Sequence, residues 1–276
     1  MPITFPSMPE KLTANEAALL EFINQHSDRF LFLSIAQLAE TLSMSEATVS
    51  RFARHVGCRD FKHLKQVVLA QTQTRTGPAD KLAATLAEGD GAPLPHWLEQ
   101  QRYCLEKTEA LLDPAEFHRA VQAIVEARRV FVYAKNASRS MAELLRFRLR
   151  RIGVDVRLLA GAGNELLEGL AAAGPGDLVV VFSFSKRSTE GAILLDWQRE
   201  AGYRTLLFTG QLSPLPDPQP DIRLFVYRGE ANEYHSMAAP AAIVDALVLG
   251  VSAKLGDRAV DRLARLRALK QRYTNP

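Results

Sequence analysis

Residues 34–65 read SIAQLAETLSMSEATVSRFARHVGCRDFKHLK, two short helical patterns joined by a tight break. Ser34 is placed to cap the first, and Gln37 three residues on completes a capping box. Ile35, Leu38, Ala39 and Leu42 then recur at the spacing of one buried helical face. Ser43-Met44-Ser45 interrupts the pattern; Ser45 can cap a second helix, and Met44 can staple onto Val49 one turn inside. In that second helix Val49, Phe52, Ala53 and Val56 share the inward side. The outward side carries Ala47, Arg51 and Arg54, flanked by Thr48, Ser50 and His55. Small residues let a helix backbone approach base edges, and Arg makes bidentate contacts with guanine or meets phosphates. Behind it, Arg51, Arg54, Arg59, Lys62 and Lys65 stand against Asp60 alone. The pattern predicts a DNA-reading helix, with Ser45, Glu46, Thr48, Ser50, Arg51 and Arg54 as its contact residues. The plainer alternative is a helical hairpin with a solvated face, and the agreement of turn, staple, face and charge weighs against it.

At 276 residues the chain has room for two cores. Hydrophobic content of 47% and charged content of 24% describe an ordinary globular protein, and a net charge of +3 makes clustering more informative than the sum. Cys58 and Cys104 form no metal-ligand spacing, which favours a reducing, cytoplasmic setting. The first ten residues hold three prolines and predict a loose arm without signal-peptide character. Leu12 to His26 predicts a helix with Leu19, Leu20, Phe22 and Ile23 inward. Phe30 to Leu33 reads as the entry to the hairpin. The polar run from Gln71 to Thr76 before Gly77-Pro78 predicts the end of a first domain, residues 1–76. A joining segment, residues 77–112, follows with helical patterns at 81–88 and 97–112.

From Asp113 to the end, residues 113–276, strands and helices alternate. Val130–Ala134, Val154–Leu158, Leu178–Phe182, Thr205–Thr209 and Ile222–Tyr227 are compact apolar strands, the signature of a parallel sheet covered on both faces. The apolar run from Ala238 to Ala253 is broken by Asp245 and too short for a bilayer, so it predicts a core helix and no membrane partner. The predicted fold class is an all-α helix-turn-helix domain followed by an α/β doubly wound, mostly parallel five-stranded sheet.

Ligands of such sheets bind beyond the carboxyl ends of the strands. Three loops there are rich in hydroxyls: Lys135 to Ser140, with Asn136, Ser138 and Arg139; Ser183 to Thr189, with Ser185, Lys186, Arg187 and Ser188; and Thr209 to Ser213. Hydroxyls, free N–H groups and Lys186 or Arg187 would together hold an anion. Equally, serines in such loops commonly serve only as helix caps. No metal signature or dinucleotide loop stands out, so no cofactor is expected. Glu165, Glu233 and His235 are the candidates for a catalytic base by placement, without a catalytic arrangement around them.

The stretch from Ser45 to Lys62 closely resembles the helix-turn-helix of the RpiR-type bacterial transcription regulators. The shared pattern is carried by Ser45, Thr48, Val49, Arg51, Phe52, Gly57, Phe61 and Lys62, within a match over about residues 12–70. The resemblance implies a sugar-isomerase (SIS) domain behind the DNA reader, matched here over about residues 113–255. The family's first loop, Gly-x-Gly-x-Ser, corresponds to Ala134–Ser138, keeping Ser138 without the glycines. Its third, Ser-x-Ser-Gly-x-Thr, corresponds to Ser183–Ser188, with Lys186 at the glycine position. Asn136 tolerates left-handed backbone, which would preserve the first turn. The resemblance implies a cytoplasmic, non-enzymatic transcription regulator that binds operator DNA and a small-molecule effector of sugar-phosphate type, as a homodimer or homotetramer. Two other readings are an isomerase-like enzyme with an N-terminal interaction module, and a DNA reader whose SIS-like domain only dimerises.

Overall fold

The protein is described by a computed structural model over residues 3–9, 11–75, 77–88, 93–185, 188–212, 217–230 and 233–273. It divides into two compact units, Met1–Pro93 with Gly229–Tyr234, and Leu94–Arg228 with His235–Pro276. The segment read as a joining piece is thus shared between them.

The first unit contains α1 (Ala14–Gln25), α2 (Ser27–Phe32), α3 (Ile35–Thr41), α4 (Glu46–His55), α5 (Phe61–Arg75) and α6 (Pro78–Glu88). Its helix starts are set by side chains. Thr13 and Glu16 form a capping box on α1, Ser34 and Gln37 form one on α3, and Ser45 Oγ accepts the Thr48 N–H at 3.1 Å to cap α4. Ser43, with φ of 51°, turns the chain between α3 and α4. Leu19, Ile23, Phe30, Leu38, Val49, Phe52, Val56 and Leu64 are fully buried together.

Three expectations change here. The N-terminal arm is not loose: Ile3 and Phe5 are buried in this core, Phe5 meets Phe52 edge-on at 6.2 Å, and the Ile3 N–H donates to Asn24 Oδ1 at 2.7 Å. The arm crosses Gly57 so closely that a Cβ there would stand 2.9 Å from Ser7 N. Phe30 to Phe32, read only as the entry to the hairpin, close a helix of their own, α2. Helix α5 runs through the polar residues 71–75, because Gln, Thr and Arg tolerate helix and the first real stop is Gly77-Pro78.

The second unit adds α7 (Pro93–Leu111), α8 (Pro114–Glu126), β1 (Val130–Ala134), α9 (Arg139–Arg151), β2 (Val156–Leu158), α10 (Gly163–Ala171), β3 (Leu178–Phe182), α11 (Thr189–Ala201), β4 (Arg204–Thr209), β5 (Ile222–Phe225), α12 (Ala238–Leu255) and α13 (Asp257–Tyr273). The strands form one parallel sheet in the order β2-β1-β3-β4-β5. Side chains alternate between its faces. Val130, Val132, Leu178, Val180, Leu206 and Phe208 pack with α8, α9 and α12. Phe131, Tyr133, Val179, Val181 and Leu207 pack with α10 and α11. Two buried faces explain why the strands are apolar throughout.

Helix α12 is longer than its apolar run suggested. At 18 residues it has the length and composition to cross a membrane, yet Ala239, Val244, Leu247 and Val251 are buried in the domain core. Asp245 pairs with Arg148 at 3.3 Å.

At the amino edge of the sheet, the fully buried Asp177 carboxylate receives Arg128 at 2.9 Å, Arg129 at 2.7 Å and the Gly174 N–H at 3.0 Å. Burial raises the pKa of this acid, but the two guanidiniums and the N–H outweigh it and hold it below the usual carboxylate range. Asp177→Ala, which takes the carboxylate from half-buried Arg129 and from that N–H, is expected to lower unfolding free energy by about 3 kcal/mol. Denaturant melts of the two proteins measure it.

Candidate functional site

In the first unit, α4 buries Val49, Phe52 and Ala53 and turns Ser45, Glu46, Ala47, Arg51 and Arg54 outward, with Thr48 and Ser50 at the half-buried margin. Ser45 Oγ and Thr48 Oγ1 lie 2.9 Å apart, so these two hydroxyls order the start of the helix while remaining at its surface. Arg54 Nε reaches back to the Ser50 carbonyl at 3.4 Å. Lys65 of the basic group and the flanking His55 have structural work instead. His55 Nδ1 lies 2.7 Å from the Glu16 carboxylate, and Lys65 donates to the Leu31 carbonyl at 2.9 Å while lying over the Phe61 ring. Burial lowers the Lys65 pKa. The exposed cations of the surface are Arg51, Arg54, Arg59 and Lys62.

In the second unit the strand order reverses direction at β1 and β3. The chain leaves β1 into α9 on one face and β3 into α11 on the other, so their carboxyl ends mark the switch point at which open parallel sheets form their crevice. Asn136 (φ 50°) and Ser138 form a single 3-10 turn after β1, and Asn136 takes the left-handed conformation expected of it. Ser138 makes no capping bond, and Arg139 is exposed. After β3, Ser183 N–H donates to the Phe208 carbonyl, Ser185 is exposed, and Ser188 Oγ caps α11 by accepting the Gly191 N–H at 3.1 Å. Lys186 and Arg187 lie outside the described residues. Thr209 is buried, and its hydroxyl accepts the Gln211 N–H at 3.1 Å, which makes it a brace of the third loop.

The crevice also holds an ion pair that residue spacing did not reveal. Lys135 Nζ donates to Glu190 Oε1 at 2.7 Å, joining the loop after β1 to the first turn of α11. Tyr133 Oη stands 3.4 Å from Ser188 Oγ and donates to the Gly161 carbonyl at 3.2 Å. Glu190 is held down to about 2, first by Lys135, then by its own backbone N–H and the Ser188 hydroxyl. The positive end of α11 is therefore already occupied by a carboxylate of the protein.

A second unforeseen residue is Arg228, just past the carboxyl end of β5. Its guanidinium lies over the Phe184 ring at 4.3 Å, and Nη2 donates to Ser185 Oγ at 3.3 Å. Gly210 permits this gathering of loops: its N–H donates to the Phe184 carbonyl at 3.0 Å, and a Cβ would stand 2.8 Å from that oxygen. The signal in the sequence was a cation directly after a strand of a parallel sheet. Of the candidate bases, Glu165 is exposed on α10, and Glu233 accepts the Glu230 N–H at 2.9 Å.

Residues 4–75 match the family described as "Helix-turn-helix domain, rpiR family", and residues 123–250 match the SIS domain. The chain is 28% identical over 269 residues to the HTH-type transcriptional regulator HexR of Pseudomonas aeruginosa, covering 95% of this chain and 91% of that protein. The sugar isomerase domain of an RpiR transcription factor from Sphaerobacter thermophilus superposes with a TM-score of 0.58 at 23% identity, over 62% of this chain and 96% of that one. The NanR protein of Vibrio vulnificus, solved with ManNAc-6P, superposes with a TM-score of 0.62 at 17% identity, over 97% and 96%.

Because Glu190 sits below its ordinary value of 4.5, it contributes stability that is complete above that pH and is lost as pH falls toward 2. Glu190→Gln is therefore expected to lose melting temperature less steeply than the parent between these limits. Thermal unfolding at stepped pH checks it, and parallel curves would reject the assignment.

Proposed function

Because the chain belongs to the RpiR-type regulators, with a helix-turn-helix reader and an SIS domain, we propose that α4 reads operator DNA and that the SIS domain binds a phosphorylated sugar or closely related metabolite. What supports the second half is the strand order, which reverses at β1 and β3, with Ser138, Ser183 and Ser185 in the loops that follow those two strands. Ser45, Glu46, Thr48, Ser50, Arg51 and Arg54 form the DNA surface in this reading. Asn136, Ser138, Arg139, Ser183, Ser185, Lys186 and Ser188 surround the effector, with Thr209 bracing the loop beside them. The protein acts in the cytoplasm, binds its ligand without turning it over, and associates as a homodimer or homotetramer. Paired readers then meet major grooves one helical turn apart, about 34 Å. A ligand with different affinity for two arrangements of the readers shifts the population between them.

One observation favours a ligand-free dimerisation domain instead: Glu190 occupies the helix end where an anion would sit. A thermal-shift panel of the full chain separates the two readings. Glucose 6-phosphate, fructose 6-phosphate and N-acetylmannosamine 6-phosphate are run beside their unphosphorylated forms. A ligand at a hundred times its Kd is expected to add about 2.7 kcal/mol. The rise should be confined to phosphorylated compounds and reduced by Ser185→Ala; silence across the panel selects the ligand-free reading.

For the DNA surface, Arg51→Ala is expected to cost about 1–3 kcal/mol of affinity for the preferred sequence if Arg51 meets a base edge. Fluorescence anisotropy on a duplex selected from a random pool measures this. Unchanged affinity would remove Arg51 from the interface.

A further inference from the structure

The cations at the carboxyl ends of the strands are not equivalent. Lys135 is neutralised by Glu190, and Arg139 is exposed to water. Arg228 is half-buried, and among the described residues its guanidinium meets no carboxylate. We propose that Arg228 is the residue that receives the anionic group of the effector, its guanidinium fork binding a phosphate monoester or a carboxylate beside Ser185.

The inference rests on the reading of the crevice as a metabolite site, and it says where in that site the negative charge goes. The usual seat, the N-terminus of the helix after β3, is taken by Ser188 and Glu190. A ligand anion placed there would face a carboxylate held by its own ammonium. Arg228 offers the opposite setting. Its guanidinium carbon lies over the Phe184 ring at 4.3 Å, and the planar fork of N–H donors that it carries is one that oxyanions accept bidentately. Among the described residues one of those donors is spent, on Ser185. The base of the side chain is fixed from behind. Tyr227 N–H donates to Thr108 Oγ1 at 3.0 Å, and the buried Thr108 hydroxyl is anchored to the Cys104 carbonyl at 2.7 Å. Burial depresses Arg228 to about 10, so it stays charged at neutral pH while lacking the counter-charge that would offset its desolvation. An arriving oxyanion supplies that counter-charge.

The test uses the full chain with inorganic phosphate as the first probe, against sodium chloride at matched ionic strength, reading melting temperature. Phosphate is expected to stabilise the parent, and Arg228→Gln is expected to need at least about tenfold more phosphate for the same shift. Arg228→Lys keeps the charge without the fork and should fall between them. Each protein is its own reference, so a change in ligand-free stability does not enter. Glucose 6-phosphate and gluconate then distinguish a phosphate preference from a carboxylate preference at the same residue.

Phosphate stabilisation equal in parent and Arg228→Gln, or absent in the parent, overturns the inference. A sugar phosphate that stabilises Arg228→Gln as well as it does the parent also overturns it, yet leaves metabolite sensing standing. Phosphate binding through Arg228 with silence from every sugar phosphate upholds the anion site and rejects the sugar-phosphate reading.

Discussion

The pairing of β1 with β3 is the constraint on which the second unit depends. Asp177 locks it at the amino edge through Arg128 and Arg129, and the Leu178 N–H continues it by donating to the Arg129 carbonyl at 3.0 Å. With that register fixed, Ala134 and Phe182 end side by side, and the loops that follow must diverge to opposite faces. The switch point is set by that divergence and by strand order, not by the glycines that the loop after β1 lacks.

In the first unit the corresponding role falls to helix caps. Ser34, Gln37 and Ser45 fix where α3 and α4 begin, and Val49, Phe52 and Val56 then fix which way α4 faces. The outward residues follow from that rotation. Glu16 joins the two tasks, since one carboxylate completes the α1 capping box and holds His55 at the end of α4.

Much of this was legible in the sequence because it is local. Caps, helical spacing and five apolar runs specify α3, α4 and the strands without knowledge of partners. The N-terminal arm was not legible: Ile3 and Phe5 lie among prolines and show no period, so their burial is visible only once Phe52 and Asn24 are in place. Charge counting also misplaced Lys65, because a side chain's formal charge does not say whether water or a carbonyl will satisfy it. Asn136, Ser138 and Ser185 follow β1 and β3 in sequence, as the strand–loop pattern had it. Arg228 escaped because its importance depends on β5 lying two strands from β3 and on Gly210 letting the intervening loops close up. Spacing along the chain carries no trace of that approach.

The Lys135–Glu190 pair gives the crevice an electrical polarity. After β1 the Lys135 ammonium is cancelled by Glu190, and after β5 the half-buried Arg228 meets no carboxylate among the described residues. An effector of the proposed kind, charged at only one terminus, would be turned by that field with its charged end toward β5 and its uncharged end toward the hydroxyls. Its mirror orientation would press an anion against Glu190. Such a guest would be sorted by field rather than by shape, and long-range steering of this kind weakens as ionic strength rises.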